Sequence, residues 1–349
     1  MIPVFDGHND FIQRVVAAGE DGARVWQEGD GTGHLDLPRA KAGGLVGGFF
    51  AIWVPSPSNP NDAEAIALMQ NPPFHLTLPD EIPHDQALPF AFRQAAALKM
   101  LERTGTLNIA SDAADLRRSI AEGRFAAIMH MEGAEAIRDM DALYLWHAAG
   151  LRSLGPVWSR PTAYGEGVPF AYPAGPDLGS GLTQPGRDLV RECNALQIML
   201  DLSHLNEAGF DDVARISDAP LVASHSCVHA ICPSARNLTD RQLHVIRDSG
   251  GLVGLNYASS FLREDGKRLP LEGFDTMLRH LDHLLGILGE DGVALGSDFD
   301  GALMPEDLGD AAALPNLIRA MEKHGYDEPL IRKIASENWI GLLERTWGG

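Results

Sequence analysis

Six polar side chains stand where short apolar runs end, and their types are those that hold metal ions: His8, Asp10, Glu132, His204, His225 and Asp298. The stretch FDGHND at residues 5–10 sets His8 and Asp10 two positions apart. In an extended strand, side chains at i and i+2 point the same way, so this pair can reach one ligand together. Glu132 lies in MHMEG, His204 ends DLSH, His225 lies in ASHS and Asp298 in GSDFDG. Taken singly, each has an ordinary explanation: Asp-Gly and Asn-Asp favour turns, a lone histidine after a strand is usually a hydrogen-bonded structural residue, and GSDFDG reads as a turn. Taken together they read differently. Three imidazoles and several carboxylates are costly to bury unpaired, and a cation satisfies them.

Imidazole with carboxylate and no thiolate suits zinc or another divalent transition ion. The five ligands His8, Asp10, Glu132, His204 and His225 exceed what one tetrahedral zinc needs. They suit two ions sharing a bridge, for which Glu132, with two oxygens, is the natural group. The five lysines, at 41, 99, 267, 323 and 333, all lie away from strand ends, so none is placed to bridge. A competing site in HSCVHAIC (225–232), built from Cys227, His229 and Cys232, lacks the paired Cys-x-x-Cys spacing of zinc ribbons, and its cysteines read as packing residues.

Such a convergence needs a scaffold that carries distant strand ends to one place. Eight short apolar runs occupy 2–5, 45–54, 125–131, 151–158, 198–203, 220–225, 251–258 and 293–298. Amphipathic helix patterns alternate with them, among them 187–196, 240–248 (opened by Thr239 and Asp240) and 274–288, with further helices expected over 314–346. Eight buried strands with intervening helices predict a (β/α)8 TIM-type barrel, a single domain over 1–349, with an open doubly wound sheet as the alternative. Residues 55–90, rich in proline and too irregular for a helix, and the Gly/Pro-rich 159–186 read as loop insertions overhanging the C-terminal face, where barrels bind substrates.

The formal charge of −20 argues against nucleic acid and anionic membranes as partners. Hydrophobic residues at 45% and charged residues at 22% fit a soluble globular chain with a sizeable core. Three irregularly spaced cysteines make no disulfide framework, and MIPVFDGHND is no secretory signal, so the expected location is cytoplasmic.

The motifs DGHND (6–10), EG (132–133), DLSH (201–204), SHS (224–226), ARNLTD (235–240) and GSDFDG (296–301) together resemble those of the membrane dipeptidase (renal dipeptidase, peptidase M19) family of the amidohydrolase superfamily, over nearly the whole chain. The resemblance implies a binuclear zinc dipeptidase. His8, Asp10 and bridging Glu132 would hold one zinc, and Glu132, His204 and His225 the other. Arg236 would bind the substrate's terminal carboxylate, and Asp298 would act as the acid/base. It further implies a metal-bridging hydroxide as nucleophile, short peptides as substrates, L-Xaa-D-Xaa dipeptides among them, and frequent homo-oligomers. One departure stands out: better-known members have a Thr-His pair after the fourth strand, and here LGPVWSR puts Trp158 in the histidine's place. Trp158 becomes an expected substrate contact, and Tyr257, Arg160 or His229 are the candidates to replace the lost donor. The altered loop keeps open another amide, such as an N-acyl amino acid or a lactam, and a non-catalytic metal- or peptide-binding descendant.

Overall fold

In the computed structural model, which describes residues 1–56 and 62–348, all eight apolar runs form parallel strands. They are β1 (Val4–Asn9), β2 (Leu45–Trp53), β3 (Phe125–Glu132), β4 (Leu151–Gly155), β5 (Met199–Leu200), β6 (Val222–Ser226), β7 (Leu252–Asn256) and β8 (Val293–Gly296). Nearly every strand residue is buried, as expected of strands covered on one face by helices and on the other by the barrel's own interior. β1 to β5 make one ladder and β6 to β8 another. Single bridges join them: Asp201 with Val222 between β5 and β6, and Asn9 with Phe299 between β1 and β8. At these seams the Leu202 N–H donates to the Val222 carbonyl (2.8 Å), the Asp10 N–H to Phe299 (2.8 Å) and the Asp298 N–H to His8 (3.0 Å). The ring therefore closes, and the expected (β/α)8 barrel is the fold.

The last seam is reinforced by a buried carboxylate. Asp6 accepts from the Ser297 N–H (2.7 Å) and hydroxyl (2.8 Å). Burial pushes Asp6 up to about 6, although these hydrogen bonds favour the ionised form. The barrel floor is filled from outside by the C-terminal helix Asn338–Trp347, whose Trp339 packs against Phe5, Phe49, Val222 and Leu252 and donates its indole N–H to the Leu295 carbonyl (2.8 Å). β1 makes room for this ring with Gly7: a β-carbon there would overlap the Ser224 carbonyl and the Trp339 ring.

The anticipated helices occur as Gln184–Ala195, Asp240–Asp248 and Asp275–Leu288, the second opened by a Thr239/Gln242 capping box. The 314–346 stretch forms Leu314–His324, Glu328–Arg332 and Asn338–Trp347, the last two joined by a π-helical turn. The 55–90 insertion, expected to be ordered but too irregular for a helix, is helical in part. It holds a helix at Ala63–Met69, and the long helix His84–Glu102 starts within it and passes through Pro89; its 57–61 part lies outside the described residues. Phe74–His75 pairs antiparallel with Ala171–Tyr172 of the 159–186 insertion, which staples the two insertions together. A further short strand, Leu107–Ile109, pairs with the start of β3. Among the described residues, no helix is long and apolar enough to cross a membrane.

Candidate metal centre

The barrel gathers all five expected ligands at one point. Glu132 Oε1 lies 3.0 Å from His204 Nε2, 3.3 Å from His225 Nε2 and 3.7 Å from His8 Nε2, and His8 Nε2 is 3.6 Å from Asp10 Oδ2. The His8 and His225 rings stack with centroids 3.8 Å apart. Two triads suited to a cation share Glu132: His8, Asp10, Glu132 and Glu132, His204, His225. A third grouping adds Asp201 to His8 and His225, but its Oδ1 already accepts from the Ser203 and Ser224 N–H groups and its Oδ2 from the Ser224 hydroxyl. Both His8 nitrogens and Glu132 Oε1 are buried without a hydrogen-bond partner. Imidazole nitrogens and carboxylate oxygens packed this closely fit a divalent cation, because ligation would satisfy the atoms that face one another.

Serines aim the imidazoles. Ser159 Oγ lies 2.8 Å from His204 Nδ1, and Ser224 Oγ lies 2.8 Å from His225 Nδ1 while donating to Asp201. With Nδ1–H given to the serine, each ring turns its Nε2 lone pair inward, which is how the outer partner of a ligating histidine fixes its tautomer. His130, two residues before Glu132 on β3, sits below the ligands with its Nδ1 2.8 Å from Ser153 Oγ and its ring edge-on to His8.

The electrostatics are those of a site built to hold positive charge. Burial pushes Glu132 up to about 8. Burial alone would lower His8, yet Glu132, Asp10 and Asp298 hold it up at about 10. Burial drives His204 and His225 well below the usual imidazole value, helped by Arg236 and His8 in the one and by His8 and Arg236 in the other. They are thus neutral, the form that binds metal.

Asp298 stands beside the ligands with φ of 61°, so the GSDFDG turn and the carboxylate expected to act as acid/base are one feature. Its Oδ2 accepts from the Asn256 amide (2.9 Å), and burial raises its pKa. Gly301 completes the turn where a β-carbon would overlap both Asp10 Oδ2 and Asp298 Oδ1. Arg236, 3% exposed, donates one bond to the His225 carbonyl (3.1 Å), keeps Nε without a partner, and lies over the Phe261 ring. Trp158 lines the cavity above the ligands together with Trp53, Phe170 and Phe261.

The other expected contacts fall elsewhere. Tyr257 is buried against Phe299 and is not part of that cavity's lining, because the strand turns its ring into the core. Arg160 is committed to Glu135, and His229 Nε2 lies 3.0 Å from the Ala174 carbonyl. Cys227 and Cys232 point their sulfurs at the Asn256 and Ser260 carbonyls, so the competing HSCVHAIC site does not assemble. The residues not anticipated are His130, Asn256 and the orienting serines. His130 carried the same i, i+2 signal as His8 and Asp10, and the serines stood inside the quoted DLSH, SHS and VWSR stretches or close by.

A model of the membrane dipeptidase family (peptidase family M19) matches residues 1–346. A crystal structure of a Rhodobacter sphaeroides metallo peptidase, liganded with a phosphinate mimic of the dipeptide L-Ala-D-Ala, is 60% identical; the match covers 99% of each chain with a TM-score of 0.98. An uncharacterized protein from the pqqA 5' region of Klebsiella pneumoniae is 45% identical over 262 residues, 73% of this chain and 96% of that one. The dipeptidase tcpJ of Claviceps purpurea is 27% identical over 350 residues, 98% of this chain and 76% of that one. With a ligand cluster at the strand ends and a family match over almost its whole length, the chain belongs to the membrane dipeptidase family, peptidase family M19, and is a metallo-dipeptidase.

Proposed function

We propose that the chain is a binuclear zinc dipeptidase acting on short peptides, L-Xaa-D-Xaa dipeptides included, as one cytoplasmic domain over 1–349 that is free to form homo-oligomers. The observation that carries the reading is Glu132 Oε1, buried without a hydrogen bond and common to two ligand triads. Bound there, zinc supplies Lewis acidity and brings the pKa of water toward neutrality. His8 and Asp10 complete one triad with Glu132, and His204 and His225 the other. Arg236 offers its guanidinium, whose Nε has no partner, to the terminal carboxylate, a pairing that favours bidentate geometry and limits substrates to short peptides. Asp298, steadied at Oδ2 by Asn256, takes the proton of the attacking water and returns it to the leaving amine. The aromatic wall keeps bulk water from the reacting bond. The Rhodobacter sphaeroides relative, which binds an L-Ala-D-Ala mimic, supports the L,D preference.

The test is a panel of L,L and L,D dipeptides with N-acetyl amino acids alongside, read together with zinc content. Turnover confined to dipeptides, at about two zinc per chain, is expected. Absence of dipeptide turnover in zinc-loaded protein sinks the reading, and turnover of N-acetyl amino acids alone makes the chain a different amidohydrolase. Asp298→Asn is expected to retain its metal and lose about 10²–10⁴-fold in kcat.

A further inference from the structure

We propose that Trp158 is a specificity-determining partition: its indole, held by the buried Arg160–Glu135 pair, divides the space above the metal centre from a second cavity and confines the substrate's first residue to small side chains. This rests on the dipeptidase reading and adds which dipeptides fit.

Two cavities meet at this ring. The front one, 130 Å³, contains the ligands Asp10, Glu132 and His204 with Asp298. The rear one, 330 Å³, lies under the stapled insertions, with Leu68, Leu78, Pro79 and Pro169 in its wall. Trp158 and Phe170 line both. An indole 7% exposed that lines two cavities at once is a wall rather than a core residue.

The wall is fixed in place. Trp158 meets Trp53 edge-on (centroids 5.2 Å apart) and Phe170 at 5.7 Å, and the Arg160 guanidinium lies 5.5 Å from its centroid. Arg160 is itself fully buried. Its Nε and Nη2 both donate to Glu135 Oε1 (2.9 and 2.6 Å), and Nη2 also reaches the Val54 carbonyl (3.1 Å). Val54, Glu135 and Arg160 follow β2, β3 and β4, so three strand-end loops converge on one guanidinium. A buried ion pair is weak as a source of stability but sets geometry well, which is the role the ring needs.

The substrate's direction follows from the row of rings. Trp53, Trp158, Phe170 and Phe261 stand in sequence, the last pair stacked at 6.1 Å, and Arg236 caps the row over Phe261. A dipeptide with its carboxylate at Arg236 lays its first residue toward the Trp158–Trp53 end, where the partition stops a large side chain.

Calorimetric titration of the zinc-loaded full chain with two phosphinate dipeptide mimics, one with an alanine-like and one with a phenylalanine-like first residue, reads the partition as a ratio of affinities. The native chain is expected to favour the small ligand by at least about tenfold. Trp158→Ala, with zinc content unchanged, is expected to move the ratio toward the bulky ligand by about tenfold or more. General loosening weakens both ligands alike and leaves the ratio unmoved. Trp158→Phe, a smaller ring, is expected to fall between the two and carries the test if the alanine variant does not fold. Arg160→Lys keeps the charge without the fork and is expected to shift the ratio the same way; an unmoved ratio there overturns the clamp. Equal native affinity for both ligands, or a ratio that neither Trp158 variant moves, overturns the partition and leaves the dipeptidase reading standing. No native binding of either ligand overturns both.

Discussion

Between the carboxylates of Asp10 and Asp298 there is room for the hydrogen of Gly301 and for nothing larger. Gly301→Ala is therefore expected to spread the two side chains. Bound-metal content should fall and kcat/KM drop by about 10²-fold or more, since misplacing reacting groups by an ångström costs that much, while the circular dichroism spectrum stays native. Normal turnover in this variant would show that the two carboxylates need not approach so closely. At this scale much of the site was legible. His8, Asp10, Glu132, His204, His225 and Asp298 announce themselves only as a set, because each alone has an ordinary explanation while six ligand-type residues at strand ends are costly to bury unpaired. Gly301 was legible only as part of a turn, because its function is the absence of a side chain. Tyr257 was misjudged because its neighbour Asn256 is the residue that reaches Asp298; adjacent strand positions face opposite ways.

Elements are where sequence pattern and structure part company. Periodicity locates the barrel strands because both faces are buried, and it locates helices such as Asp275–Leu288 through their apolar stripe. It missed the helices within the 55–90 insertion and the cross-pairing of Phe74–His75 with Ala171–Tyr172, partners about a hundred residues apart that no local signal joins. Helix Asp275–Leu288 also carries a titratable core residue. His280 Nδ1 accepts from the Val228 N–H (3.1 Å), its Nε2 lies 3.0 Å from the Leu262 carbonyl, and burial holds its pKa down at about 4. Its unfolded value is about 6.5, so between these two pH values the unfolded chain binds the extra proton. The stability that neutral His280 contributes is whole above pH 6.5 and is lost as pH falls toward 4, an effect of up to about 3 kcal/mol. Urea unfolding at pH 7 and pH 4.5 should show a smaller loss in His280→Gln than in the native chain; equal losses would remove His280 from the acid response.

The whole molecule depends on a ring of strands being closed at the seams and filled at the floor. Trp339 fills that floor from the far end of the chain, so Trp339→Ala is expected to cost about 3–5 kcal/mol of unfolding free energy, the usual range for emptying a large aromatic site. A loss under about 1 kcal/mol would mean that the neighbouring side chains collapse into the space. Closure itself was inferable from the count of strands, but the means of closure was not: Asp6 looked like part of a turn, and only the fold brings Ser297 to it. That seam also sets a timetable. Asp6, with His8 and Asp10 beside it, is made 291 residues before its partner. At about 5–20 residues per second the first strand, already paired with β2 on one side, waits roughly 15–60 s for β8 on the other. Two of the five candidate metal ligands are thus made well before the other three, and a chain still being synthesised has nowhere to keep its metal.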